Sequence, residues 1–170
     1  VPVVKIGLPP RPNLLLILDQ IQTPGNLGTM LRTAAAAGVD GVVLAPGCVD
    51  LFNPKVLRGS MGAHLRLGVI SAEWGQIETL TNDLNVYAAI VTSAINYTAP
   101  DWRQPSALIV GNEANGIGEQ AKRLSKGVTI PMSAETESLN AAMASGIILF
   151  EASRQRRLVQ AAQPLAATTP

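Results

Sequence analysis

Leu14-Leu15-Leu16-Ile17-Leu18, ended by Asp19, is the segment that most restricts how this chain can fold. An unbroken apolar run has no polar face to turn toward water, so as a strand it must be buried on both sides. Strands of that kind sit in parallel sheets with helices on both faces, because each parallel pairing needs a crossover connection. The rest of the chain fits that plan. Short apolar runs at 41–45, 65–70, 86–91, 107–110 and 128–130 read as further strands. Between them lie helical patterns. One opens at Gly25-Asn26-Leu27-Gly28 and stops at Gly38, a suitable C-cap. A short one at 55–61 follows the Asn53-Pro54 cap, and another covers 72–84 after Ser71. A fourth covers 119–124, and the last starts near Ser138, with Leu139, Met143, Gly146, Ile147 and Phe150 at helical spacing. The fold class expected is therefore α/β, one domain with a mostly parallel sheet and helices on both faces.

Composition agrees and removes several chemistries. Hydrophobic residues make up 47% of the 170 and charged residues 15%, which suits a buried core and not a disordered chain. A single cysteine, Cys48, excludes an internal disulfide and a cysteine-based zinc site. With His64 as the lone histidine, no nucleophile–base triad can be assembled and no metal site is expected. No apolar run reaches the roughly 18 residues of a membrane span, and the start lacks a signal-type core, so a cytoplasmic protein is the expectation. Net charge is +1, without the basic excess usual in nucleic-acid binders. An RNA partner would need local positive charge. Lys55, Arg58, His64 and Arg66 form one cluster and Arg154, Arg156 and Arg157 another. Each reads equally as a solvated helix face.

Three stretches carry candidate chemistry. Residues 19–34 lead from a strand into a helix, whose first N–H groups suit an anion or polar ligand. Asn26 is a candidate N-cap there. Arg32 lies in an otherwise small and apolar run. It either has an anionic partner or reaches out to solvent. Residues 110–118 form a glycine-rich loop at the carboxyl end of a strand, where open α/β sheets bind ligands. The spacing is neither that of a Walker loop nor that of the dinucleotide fingerprint, and a plain turn is the other reading. Residues 130–144 run from strand through polar loop to a capped helix, with Ser138 as cap and Asn140 in the first turn. Alone, this third stretch needs no role.

Taken in order, the three resemble the motifs of the SpoU (TrmH-like) RNA methyltransferase family. The matching residues are Asn26-x-Gly28-x-x-x-Arg32-x-Ala34, Gly111-x-Glu113-x-x-Gly116-Ile117, and Ile130-Pro131-Met132 followed by Ser138-Leu139-Asn140-x-Ala142. Arg58-Gly59-Ser60-Met61-Gly62-Ala63 is similar to a fourth family segment. The resemblance covers residues 14–155. It implies a SPOUT-type domain with a C-terminal trefoil knot, a rare exception to unthreaded chains. It also implies S-adenosylmethionine as cofactor, held by Thr92, Gly111, Ile130, Met132, Ser138 and Leu139, with the glycines letting backbone approach the ligand.

By the same resemblance Arg32 acts on a ribose 2′-OH, while Asn26, Glu113 and Asn140 orient Arg32, the ribose and the knot loops. The implied function is methyl transfer to a 2′-OH of ribosomal or transfer RNA, in a homodimer where Arg32 of one subunit faces the other's cofactor. Residues 1–13 would be a lead-in, a linker from an RNA-binding domain ahead of it. Residues 14–160 would be the catalytic domain and 161–170 a flexible tail. A non-catalytic module that binds RNA or cofactor is the alternative, and the presence together of Arg32, Glu113 and Asn140 speaks against it. A nucleotide-binding oxidoreductase domain would fit the α/β alternation but lacks the glycine fingerprint.

Overall fold

A computed structural model describes residues 7–92, 94–133 and 138–162. The strands are β1 (Leu14–Asp19), β2 (Gly41–Leu44), β3 (Gly68–Ser71), β4 (Asn85–Ala89), β5 (Ile95–Asn96), β6 (Ser106–Gly111) and β7 (Lys126–Thr129). They form one sheet in the order β3-β2-β1-β6-β4-β7-β5, and every pairing is parallel. The helices are α1 (Pro24–Ala37), α2 (Pro54–Ser60), α3 (Trp74–Thr81), α4 (Glu119–Leu124) and α5 (Ala141–Ala162).

The continuous apolar run does what its composition requires. All of β1 is buried. Leu14, Leu16 and Leu18 face a core built with Leu27, Met30 and Leu31 of α1, Val56 of α2, and Ile148 and Leu149 of α5. Leu15 and Ile17 face a second core with Ile77 of α3 and Ala121 of α4. Helices therefore cover both faces, as expected. The chain winds outward from β1 to β3, then returns on the other side of β1, so the strand order reverses between β1 and β6. Register holds along the whole of that central pair, from Leu14 beside Ser106 to Asp19 beside Gly111. A reversal of this kind opens a crevice at the carboxyl ends of the two strands.

Several boundaries differ from the sequence expectation, each for a local reason. The strand expected at 65–70 starts at Gly68, because Met61 and Gly62 take left-handed conformations (φ 50° and 78°) and a 3-10 turn occupies Ala63–Leu65. The helix expected at 72–84 is shorter. Glu73 and Gln76 form its capping box, while Ser71 still belongs to β3 and pairs with Leu44. β7 begins at Lys126 because Lys126 and Gly127 pair with Tyr87 and Ala88 despite having no apolar pattern.

Two helix starts also move. Asn26 is not the cap of α1. Thr23 holds that position and Pro24 follows it, so Asn26 lies inside the first turn. Ser138 is not the cap of α5 either; Asn140 is, accepting the N–H groups of Ala142 (3.0 Å) and Met143 (3.1 Å).

Glycine is needed where α1 and α2 cross. A side chain on Gly28 would come within 2.9 Å of the Gly59 Cα and the Val56 carbonyl. Of the lead-in, Leu8 packs against the second core. α5 ends at Ala162, two residues past the expected domain boundary at 160, and the expected tail lies outside the described residues from 163 on. The knot implied by resemblance would use the link from β7 to α5, of which 134–137 lie outside the described residues. Among the described residues no helix is long and apolar enough to cross a membrane.

Candidate active site

The site begins where β1 and β6 end. Asp19 is buried, and its Oδ2 accepts the N–H of Gly118 at 2.6 Å. The next residue, Gln20, has φ 55°, and its carbonyl accepts the amide of Asn112 at 3.0 Å. These two bonds fix both ends of the glycine-rich loop against β1. The loop then closes on itself, with the Gly116 N–H donated to the Asn112 carbonyl at 2.7 Å. Gly111 is obligatory for that closure, since any side chain there would overlap the Gly116 carbonyl. The loop's own backbone is thus a sufficient reason for this glycine.

Glu113 stands on this loop and gathers the other two motifs. Its Oε1 accepts from the Asn26 amide, from the Asn140 amide at 2.7 Å and from the Ala141 N–H at 3.4 Å. The Asn140 amide also lies 3.2 Å from Asn26 Oδ1. Asn140 therefore has two duties: its oxygen caps α5 and its nitrogen holds Glu113. Residues 87 and 27 positions apart from Glu113 meet at one carboxylate. A single oxygen serving three donors ties the three stretches together at this point.

Beside the cluster lies a pocket of about 240 Å³, with Glu113 on its wall. Gly111, Ile130, Met132, Ser138 and Leu139 all line it, as expected from the motifs. Thr92 does not. It is exposed beyond the end of β4, and Ile90 and Val91 border the pocket in its place. Asn112, Asn115 and Ile148 also line the pocket and were not singled out in the sequence. Position was the available signal for the asparagines, since both lie in the glycine-rich loop. Ile148 looks in sequence like any other core residue of α5.

Arg32 is outside the cluster. It is exposed on α1 and, among the described residues, has no hydrogen bond or ion pair. It follows Asn26 by six positions, which puts it about 120° around the helix from that residue. Asn26, Glu113 and Asn140 thus hold one another, and within one subunit they do not hold Arg32.

Cys48, His64, Arg154 and Arg156 make contacts within the fold. Burial raises the pKa of Cys48, and its thiol donates to the Leu18 carbonyl at 3.2 Å. Of the C-terminal basic cluster, Arg154 pairs with Glu151 at 2.7 Å, and Arg156 donates to the carbonyls of Asn13 (2.8 Å) and Gln104 (3.0 Å). His64 Nδ1 lies 2.6 Å from the buried Ser60 hydroxyl. Among the described residues, no three metal-ligating side chains come together.

A wholly parallel sheet, a largely apolar pocket at the carboxyl ends of β4, β6 and β7, and a carboxylate–amide cluster beside it define an α/β ligand-binding domain. Such domains hold a nucleotide-like molecule beyond the strand ends. The chain belongs to the SpoU rRNA Methylase family, whose family model matches residues 13–150. It is 39% identical over 157 residues to an uncharacterized tRNA/rRNA methyltransferase of Synechocystis sp., covering 87% of this chain and 56% of that protein. To the 23S rRNA (guanosine(2553)-2′-O)-methyltransferase RlmP of Bacillus subtilis it is 38% identical over 141 residues, 80% of this chain and 56% of that one. Among solved structures, the SpoU methyltransferase AviRb of Streptomyces viridochromogenes, in complex with AdoMet, superposes with a TM-score of 0.84 at 29% identity. That match covers 89% of this chain and 64% of AviRb. An AdoMet-bound rRNA methyltransferase of Sinorhizobium meliloti matches with a TM-score of 0.80 at 32% identity, over 91% and 60% of the two chains. The chain spans about half the length of the curated relatives it matches.

Proposed function

We propose that residues 14–160 are the catalytic unit of an S-adenosylmethionine-dependent methyltransferase that modifies a ribose 2′-OH of ribosomal or transfer RNA. The observation that carries this reading is the meeting of Asn26, Glu113 and Asn140 at the rim of the pocket beneath the glycine-rich loop. The AdoMet-bound relatives of the same fold support it. The residues present suit the cofactor. Ile90, Val128 and Ile148 give an apolar wall for a planar ring, the loop 111–118 offers backbone polar groups, and the Glu113 carboxylate favours a cationic ligand.

S-adenosylmethionine supplies a methyl group on a good leaving group. The chain's own task is then to present the hydroxyl and stabilise the charge that develops on its oxygen. Arginine is a fixed positive charge and a poor base, so Arg32 would stabilise the oxygen while the hydroxyl proton leaves to an RNA phosphate or to water. Its free guanidinium suits an RNA phosphate and the 2′-oxygen together.

The reading includes a homodimer. Met143 and Phe150 are exposed on α5, and with Gly146, Ile147 and Thr29 and Thr33 of α1 they line a shallow apolar groove. A two-fold contact through this groove would carry Arg32, on the same α1, toward the partner's pocket. Calorimetry with S-adenosylhomocysteine tests the pocket: one site per subunit is expected. Folded protein that gives no heat on titration would overturn the assignment. A melting temperature raised by a nicotinamide dinucleotide and not by S-adenosylhomocysteine would return the oxidoreductase reading.

A further inference from the structure

Charge in this chain is segregated in a way its net value hides. Residues 20–39 and 51–72 contain no aspartate or glutamate, yet they hold Arg32, Lys55, Arg58 and Arg66. These segments form α1, α2 and the turn after α2, packed together through the Gly28–Gly59 crossing. Elsewhere Arg103, Lys122 and Arg154 are spent in ion pairs with Asp101, Glu119 and Glu151. Among the described residues, the four cations of the α1–α2 face are in none, and all four are exposed.

The apolar residues there are equally unusual. Phe52 is 72% exposed and Met61 66%, the most exposed large hydrophobic side chains of the described residues. Lys55 and Arg58 are exposed on α2, Phe52 lies just before the helix and Met61 at its C-cap, while Val56 and Ser60 are buried. The nearest acid in sequence is Asp50, whose carboxylate accepts the Phe52 N–H at 3.0 Å.

We infer that this face is the docking surface for an unpaired stretch of RNA, with Phe52 stacking on a splayed base and Lys55, Arg58 and Arg66 on the phosphates. Unpaired bases expose a ring face that an aromatic side chain can cover, and the cations follow the backbone irrespective of sequence. Arg58 adjoins Gly59 at the helix crossing, and Arg32 lies one turn beyond Gly28, so the surface leads directly to Arg32. A second copy of the chain is a poorer occupant, because a two-fold contact here would set these cations against themselves. The inference rests on the proposed RNA methyltransferase reading and extends it by assigning the substrate its surface.

The test uses a fluorescent single-stranded RNA of about 16 nucleotides and its duplex form, in about 50 mM salt. The parent protein should prefer the single strand. Phe52→Ala should weaken that binding by about tenfold with an unchanged salt dependence, since stacking releases no counterions. Lys55→Gln with Arg58→Gln should flatten the slope of log affinity against log salt by about 1.4, about 0.7 for each phosphate that is no longer neutralised. Both variants should bind S-adenosylhomocysteine as the parent does. Variants that hold RNA like the parent, or a parent that binds S-adenosylhomocysteine but neither RNA, would overturn the surface and leave the cofactor reading standing. Binding of RNA through this face without S-adenosylhomocysteine binding would support the surface and sink the cofactor reading. A Phe52→Ala protein that changes oligomeric state instead of RNA affinity would make the face a subunit contact, and the inference would fall.

Discussion

Arg32 is the only charged side chain of α1, and it is exposed with no partner among the described residues. A cation free in the resting protein is available to substrate, so its effect should fall on the transition state and not on folding. Arg32→Ala should keep the melting temperature and the affinity for S-adenosylhomocysteine, because the pocket is lined by other residues. Turnover in a methyl-transfer assay with saturating cofactor should fall by a factor on the order of 10² to 10³. Arg32→Lys should restore only part of it, since a point charge cannot span phosphate and hydroxyl as a planar guanidinium does. Wild-type turnover in the alanine variant would make Arg32 an ordinary surface residue. The motif pattern made Arg32 visible in the sequence, but not its separation from Glu113. That separation follows from helix geometry, which turns Arg32 away from Asn26.

Among the elements, β1 was the easiest to read and the start of α5 the hardest. A strand buried on both faces can be recognised from its own residues. A cap cannot when several candidates stand in line. Ser138 and Asn140 are both good caps in isolation, and the choice depends on Glu113, which lies 27 positions away and holds the Asn140 amide. The Thr23–Asn26 choice at α1 is decided the same way, with Asn26 drawn to Glu113. Strand β7 was misplaced because Lys126 and Gly127 pair in the sheet without looking like strand residues. The double role of Asn140 makes a test of its own. Asn140→Ala should cost about 1 kcal/mol for the lost cap, measured by urea unfolding, and should also weaken cofactor binding. Asn140→Asp keeps an oxygen for the cap but sets a second carboxylate where an amide stands 2.7 Å from Glu113. That variant should be less stable than the parent in urea unfolding, because two like charges would meet where an amide and a carboxylate now pair. Equal stability of the parent and Asn140→Asp would show that the cluster contributes little.

At the scale of the whole molecule, one chain presents a formed pocket and an exposed arginine, Arg32, that does not reach its own carboxylate cluster. The α/β class and the gathering of Asn26, Glu113 and Asn140 were legible because they are written in periodicity and motif order. The placement of Arg32 relative to a pocket was not, since in the proposed homodimer it would depend on the partner across the groove between α1 and α5. Phe150→Glu places a charge in that apolar groove, lined also by Met143 and Ile147. It should turn a dimer into a monomer in light scattering and abolish turnover while leaving the fold intact. A variant that remains dimeric would move the subunit contact to another face. The claim that unites these scales is transfer of a methyl group to ribose, and it can be measured without knowing the natural substrate site. The protein is incubated with RNA and methyl-labelled S-adenosylmethionine, and the RNA is digested to nucleosides and separated. The account predicts label in 2′-O-methylribonucleosides, reduced on the order of 10²-fold or more when Arg32 is replaced by alanine. Label on the bases, or unlabelled RNA from protein that binds the cofactor and the RNA, would contradict it.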